Sequence, residues 1–268
     1  MNHLLRGHAP ISDSSWQLLD DEARERLRGP LAARRLVDFA GPHGWEHSAT
    51  NLGRVEKVTA PNGKGVTALR RRVLPLVELR ADFAISRAEL ADADRGAVDV
   101  DLTSLDEAAR QIALSENVAV FHGWAKAGIE GIAANRAPIK AGKLGSSAED
   151  YPRSVARAVD SIRQGGVEGP FGLALGPDEY TRVIETAEHG GYPLFDHLAK
   201  ILAGPIVWSP GLKGAVVLSL RGGDFLFESG QDLAIGYDRH DADAVHLYLE
   251  ESFSFVVATP EAAAPLKP

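Results

Sequence analysis

The chain has 268 residues, 44% of them hydrophobic, enough for one large or two modest cores. Its formal net charge of −8 excludes a non-specific nucleic-acid binder, which needs a basic excess to neutralise phosphates. Cysteine is absent, which rules out disulfides, thiolate metal sites and cysteine nucleophiles.

The opening MNHLLRGHAPISDSSW contains no apolar core long enough for a signal peptide. No window approaches the ~20 apolar residues of a membrane span, so a soluble cytoplasmic protein is expected. From Ser12 onward, Trp16, Leu19, Ala23 and Leu27 recur at spacings of three and four, one apolar stripe of a helix whose other face is charged. Such a helix ordinarily docks on the core of its own domain.

Residues 46–85 lose helical periodicity and carry the turn signal PNGKG. From Val73 to Ile85 apolar residues alternate with a period of two, which predicts a strand with Pro75 at an edge. The preceding arm, with Arg54, Glu56, Lys57 and Lys64, is too polar to bury both faces. A two-stranded excursion of this kind is marginal alone in water, so it lies on its own domain or reaches a neighbour.

SRAE (Ser86–Glu89) and SLDE (Ser104–Glu107) read as capping boxes opening a short helix and a longer one. Leu105, Ala109, Ile112, Ala113, Glu116, Val120 and Phe121 fall on the inner face of the longer helix, which Gly123 ends. Residues 133–152 read as loop, and a helix is expected over about 148–164, with Pro152 tolerated in its first turn. Short strands then alternate with helices as far as GPIVWSP, and strands alone follow, from GAVVLSL to AVHLYLEESFSFVVA.

Several strings invite chemistry and fail on their context. HGWEH (His43–His47) matches a metalloprotease pattern that needs a helix to bring both imidazoles to one face. Pro42 and Gly44 oppose a regular helix there, so a loop around a buried Trp45 is expected. RGGDF lacks the rest of a nucleotide-cyclase half-site and reads as a tight turn between strands. DRHDADAVH lacks the distal bidentate Glu of a calcium loop and reads as a solvated charged turn. No P-loop, G-x-S-x-G elbow or G-x-G-x-x-G fingerprint is present. EHGGYP (Glu188–Pro193) places a glycine pair between two helices, either an ordinary reversal or a functional tip.

LLRGHAPISDSSWQLLDDEA, ARRLVDFAGPHGW, PLVELRADFAISRAEL, IEGI, VEGPFGLAL, HGGYPL and RGGDFLFESGQDLAIGYDRHDADAVHLYLEESFSF follow one another in this order. Together they resemble the encapsulins, linocin-like shell proteins of bacterial and archaeal nanocompartments. The resemblance implies an α+β fold of the tailed-phage major capsid (Hong Kong 97) type. Its parts would be an N-terminal arm and helix (1–45), an extended loop (46–80), a peripheral domain with a spine helix (81–135), an axial domain (136–210) and the rest of the peripheral domain (211–268).

The same resemblance implies a non-enzymatic subunit of a closed icosahedral shell, with about 60 copies as the simple case. Its cargo enzyme would be a ferritin-like iron-storage protein or a dye-decolourising peroxidase, docked through a C-terminal targeting peptide. By position, Arg34, Leu36, Asp38, Phe39, Leu233 and Ile235 are candidates for holding that peptide. Glu188, His189, Gly190, Gly191 and Tyr192 would line a five-fold pore that attracts cations and grows more positive as histidine titrates near ~6.5. Arg87 and Ala88 stand where some relatives carry an aromatic associated with flavin, so no flavin is expected, nor a metal, nucleic-acid or membrane partner. The competing readings are a metalloprotease or bacteriocin resting on HGWEH, and a prophage capsid protein.

Overall fold

A computed structural model describes residues 3–63, 65–134, 139, 142–145, 147–188 and 190–268. Six helices and twelve strands, all within the described residues, build two five-stranded sheets and a separate two-stranded ribbon.

Helix α1 (Asp13–Arg28) is capped by the Ser12 hydroxyl, which accepts from Ser15 N at 3.1 Å. Its stripe of Trp16, Leu19, Ala23 and Leu27 is buried as the spacing requires. β1 (Asp38–Ala40) follows, then β2 (Ala49–Val58) and β3 (Ala68–Pro75), which pair only with each other and form the ribbon. The expected single strand from Val73 to Ile85 is broken at Leu76, whose N–H donates to Ser48 O. β4 (Val77–Ser86) then joins the first sheet.

Helix α2 (Arg87–Asp94) starts with Ser86 Oγ accepting from Ala88 N. Glu89 does not close a box; it accepts from Asp101 N instead. Helix α3 (Thr103–His122) begins one residue before the expected cap. Asp101 caps Thr103 N, and Ser104 Oγ donates to Ala84 O, tying helix to sheet. Gly123 ends α3 at φ 86, in the left-handed region open to glycine.

The first sheet is organised around β11 (Ala244–Val257). One edge pairs with β4 over ten residues, and the other with β10 (Ala234–His240) and then β9 (Phe225–Ser229), outside which lies β1. α1, α2 and α3 cover one region of it around Phe83, Ile85, Leu105, Ile112, Leu247 and Leu249.

β5 (Gly142–Lys143), α4 (Tyr151–Gln164), β6 (Phe171–Leu175), α5 (Pro177–Glu185), α6 (Leu194–Leu202), β7 (Ile206–Trp208), β8 (Ala215–Ser219) and β12 (Ala263–Lys267) form the second unit. Its sheet runs β5-β12-β8-β6-β7. The expected boundary at 211 is therefore corrected: β8 and β12 sit in the second sheet, while β9, β10 and β11 sit in the first. The reason is legible in the burial. β8 and all of β6 are fully enclosed, and only a strand apolar on both faces, such as AAPL of β12, can lie between helices and a neighbour.

RGGDF is the turn from β8 to β9, and so a connection between the two sheets rather than a hairpin within one. Gly222 and Gly223 take positive φ there, and Arg221 grips Asp224 through two 2.9 Å hydrogen bonds. DRHDADAVH is the β10–β11 turn, held by Asp241 Oδ1 accepting from Asp243 N and Ala244 N. Residues 41–48 contain no helix. His47 binds Glu228 at 2.5 Å, and Trp45 is not buried but 42% exposed, stacked on His3 at 3.9 Å. The N-terminal residues strap over the first sheet, with Leu4 O accepting from Tyr237 N, and so draw His3 to Trp45.

Candidate functional site

Two places gather the residues singled out above. The first is a groove of about 490 Å³ between α1 and the β9–β10 connection. Ala23, Leu27 and Leu31 form one wall, Leu233, Ala234, Ile235 and Leu249 another, and Arg6, Arg24, Arg28, Asp20 and Asp232 the rim. The helical stripe of α1 thus serves twice: its centre docks on α3, while its C-terminal turns open onto the groove.

Arg34 closes the end of this groove. Its Nε donates to Glu116 Oε2, Nη1 to Asp232 Oδ1 and Nη2 to Glu251 Oε2, each at 2.6 Å. The same guanidinium lies 5.1 Å from the ring centres of both Phe39 and Phe227. Glu116 and Glu251 are fully buried, one on the inner stripe of α3 and one on the inward face of β11, between Leu249 and Phe253.

Burial pushes the carboxyl of Glu251 well above its ordinary value, and the adjacent Glu116 adds to this against the pull of Arg34. Burial raises Glu116 too, opposed by Arg34. As bare carboxylates, the two Oε1 atoms would both lack a donor. Burial and the adjacent Glu116 therefore both favour a proton on Glu251, while Arg34 opposes them. Burial alone would lower the Arg34 pKa; the three carboxylates outweigh it and hold the guanidinium charged.

Of the six residues expected at a peptide site, Arg34, Leu233 and Ile235 line this groove. Leu36 is not in this groove: it is buried in the main core, with its Cδ2 beside Gly172, and it borders a separate hollow together with Asp38. Asp38 lies outside the groove, where Oδ2 accepts from Gly223 N at 2.7 Å and holds the RGGDF turn. Phe39 stacks on Phe227 at 5.5 Å on the far side of Arg34. The sequence reading missed Glu251 and Asp232. The alternation Val245, Leu247, Leu249, Glu251, Phe253, Phe255 could have shown an inward carboxylate that demands a cation.

The second place is the loop between α5 and α6. Gly190 and Gly191 take φ of 93 and 79, which lets the chain reverse while Glu188 N donates to Tyr192 O. Glu188 reaches His197 Nδ1 at 2.9 Å, and Lys200 Nζ lies 4.9 Å over the Tyr192 ring. A hydrogen bond to Tyr192 raises the Lys200 pKa. His189 lies outside the described residues. His197 and Lys200 were missed; they sit one turn apart on α6 and face back to the loop.

No cluster of metal-ligating side chains occurs among the described residues, and none of their helices is long and apolar enough to cross a membrane. Residues 1–254 match the family model Linocin_M18, described as encapsulating protein for peroxidase. The chain is 46% identical to the type 1 encapsulin shell protein of Rhodospirillum rubrum, over all of this chain and 97% of that one. Its fold is similar to that of a virus-like particle from Pyrococcus furiosus, with a TM-score of 0.66 at 18% identity, covering 94% of this chain and 99% of that one. The capsid of Myoviridae phage XM1 is similar at a TM-score of 0.53 and 10% identity, covering 85% of this chain and 88% of that one.

Proposed function

The chain belongs to the encapsulin family of shell proteins, and from that premise we propose that it assembles into a closed icosahedral compartment enclosing a cargo enzyme. It is a capsid-like structural protein and not an enzyme. The observation that carries closed assembly is the ribbon β2–β3, which pairs with neither sheet and leaves Val55, Val58, Leu69 and Val73 in water. A two-stranded ribbon in that condition is marginal by itself; a neighbouring subunit supplies what it lacks. The domain division above follows the same reading, with β6, β7, β8 and β12 in the axial unit.

Light scattering on the size-exclusion peak of the purified chain tests this. A single megadalton species is expected, of about 60 copies in the simple case; a monomer would sink the proposal.

The groove beside α1 is the cargo dock in this reading. Its apolar floor and charged rim suit a short peptide that inserts alternate apolar side chains. A ferritin-like iron-storage enzyme or a dye-decolourising peroxidase bearing such a C-terminal peptide is the cargo class proposed. The Glu188–Tyr192 loop surrounds a five-fold opening that passes small ions and substrates. If Glu188→Ala and His189→Ala leave cargo turnover unchanged in intact shells, that role for the loop fails. The compartment would stand free in the cytoplasm.

A further inference from the structure

The groove beside α1 runs along one edge of β10, and the pairing shows which main-chain groups face it. Ser252 of β11 donates to Gln231 O and accepts from Gly230 N, both at 2.8 Å. Hydrogen bonding alternates along an antiparallel strand, so Glu250 and Tyr248 turn to the same side, toward Ala234 and Gly236. Ile235 and Tyr237, opposite Leu249 and Leu247, then point their N–H and C=O groups away from β11.

Tyr237 bears out this parity: its N–H donates outward, to Leu4 O of the N-terminal strap, at 2.8 Å. Among the described residues no hydrogen bond from outside the ladder reaches the main chain of Ile235. Leu233 N is already taken, by Asp232 Oδ1 at 2.9 Å. The side chains of Leu233 and Ile235 pack in one cluster with Leu249 and with Ala23 and Leu27 of α1. An unpaired strand edge and an apolar floor thus lie in the same groove, and such an edge is a template for another strand.

Both ends of the edge are closed. Arg34 holds Asp232 at one end. At the other the strap sits on Tyr237, and its Arg6 grips Asp20 of α1 at 2.7 and 3.1 Å. The five steps from Asp232 to Tyr237 span about 17 Å, which fits a short terminal segment and not a long strand of another chain.

We infer that the groove takes its peptide as an added strand on β10, bonded to the N–H and C=O of Ile235, and that the strap at Leu4 sets where this strand stops. This rests on the cargo-dock reading and specifies the recognition within it. Main-chain bonds fix the register, and paired residues share a face, so the peptide residue opposite Ile235 drops its side chain onto the apolar floor. The partner is an extended segment of alternating apolar residues with no proline at the paired position.

The probe is the heptapeptide Ser-Leu-Ser-Leu-Ser-Leu-Ser. On adding it to the wild-type chain, hydrogen exchange within 233–236 should slow at one amide, that of Ile235, because Ala234 and Gly236 already donate to β11. Tyr237, held by Leu4, should not change. Esters in place of the three leucine amides should weaken binding roughly five-fold, the worth of one hydrogen bond, while esters at the serines should not. Ile235→Pro removes only an outward N–H, which an edge strand tolerates, and should bind worse than Ile235→Val.

With residues 2–5 deleted, a probe two residues longer should bind better than the heptapeptide; on the wild-type chain it should not. An equal gain on both chains overturns the role of the strap. A heptapeptide that does not bind, or whose leucine esters bind as well as the amides, overturns the added strand. An Ile235 amide already slow in the free chain does so too, since the edge would then be filled by the chain itself or by a second copy. Capture of a peptide-tagged reporter that Leu233→Asp leaves unchanged would instead sink the dock reading itself.

Discussion

Arg34 and Glu251 meet at 2.6 Å inside the fold, joining the N-terminal arm to the central strand of the first sheet across 217 residues of sequence. Glu116 of α3 and Asp232 of the β9–β10 connection take the remaining edges of the same guanidinium. One planar cation therefore fixes the arm, the long helix, the sheet and the end of the groove to one another.

Arg34→Ala leaves two buried carboxyl groups with no cation. Breaking a buried pair by removing one partner costs roughly 3–5 kcal/mol, so a large drop in denaturation midpoint of the unassembled subunit is expected. Arg34→Lys should recover only part of it, because an ammonium lacks the fork that serves three carboxylates in different directions.

The raised pKa of Glu251 makes stability depend on pH in a definite sense. The folded pKa of Glu251 lies above its ordinary 4.5, so above about pH 4.5 the folded state holds a proton that the unfolded state has released. That contribution is fully present below this pH and is lost as pH rises through the folded value. Glu251→Gln removes the titration at this position. Its melting temperature, measured relative to wild type, should rise as pH increases above about 4.5; a flat difference would remove the Glu251 titration from the account.

Asn117 is fully buried on α3. Its Oδ1 accepts from Ala33 N at 3.0 Å, and its Nδ2 donates to Pro30 O at 2.7 Å and Pro210 O at 3.2 Å. Asn117→Ala strands the Ala33 N–H and the Pro210 carbonyl, while Pro30 O keeps the Ala32 N–H, at about 1–3 kcal/mol per unsatisfied buried group. Chemical denaturation should show the loss, and hydrogen exchange should show the 30–33 turn opening first.

In the groove, Leu233→Asp puts a charge on an apolar wall already rimmed by Asp232 and Asp20. Losing the burial of one leucine-sized group costs about 1.5–3 kcal/mol, so capture of a peptide-tagged reporter should fall by roughly ten-fold or more. Assembly is expected to be unchanged. Retained capture would move the dock elsewhere.

Periodicity made most of this fold readable. α1, α3 and α4, and the alternation of β4 and β11, are local patterns whose apolar faces leave one arrangement each. The turn at RGGDF and the loop at EHGGYP were legible for the same reason, since a glycine pair marks a reversal whatever surrounds it. β1 and β5 were not legible, because strands of two or three residues carry no period. β12 was missed because its AAPL run is apolar throughout and does not alternate.

By itself, then, the sequence determined most of the longer elements, the polar two-stranded excursion and the inner stripe that includes Glu116. Only the tertiary structure decided that β8 and β12 belong with β6, that Leu36 is sealed in the core while Leu233 faces the groove, and that Arg34 is enclosed by carboxylates from three distant segments. The physical reason is range. A helix or strand is set by neighbours within a turn or two, whereas a buried cation takes its partners from wherever the folded chain brings a carboxylate within hydrogen-bond reach, and no spacing in the sequence records that distance.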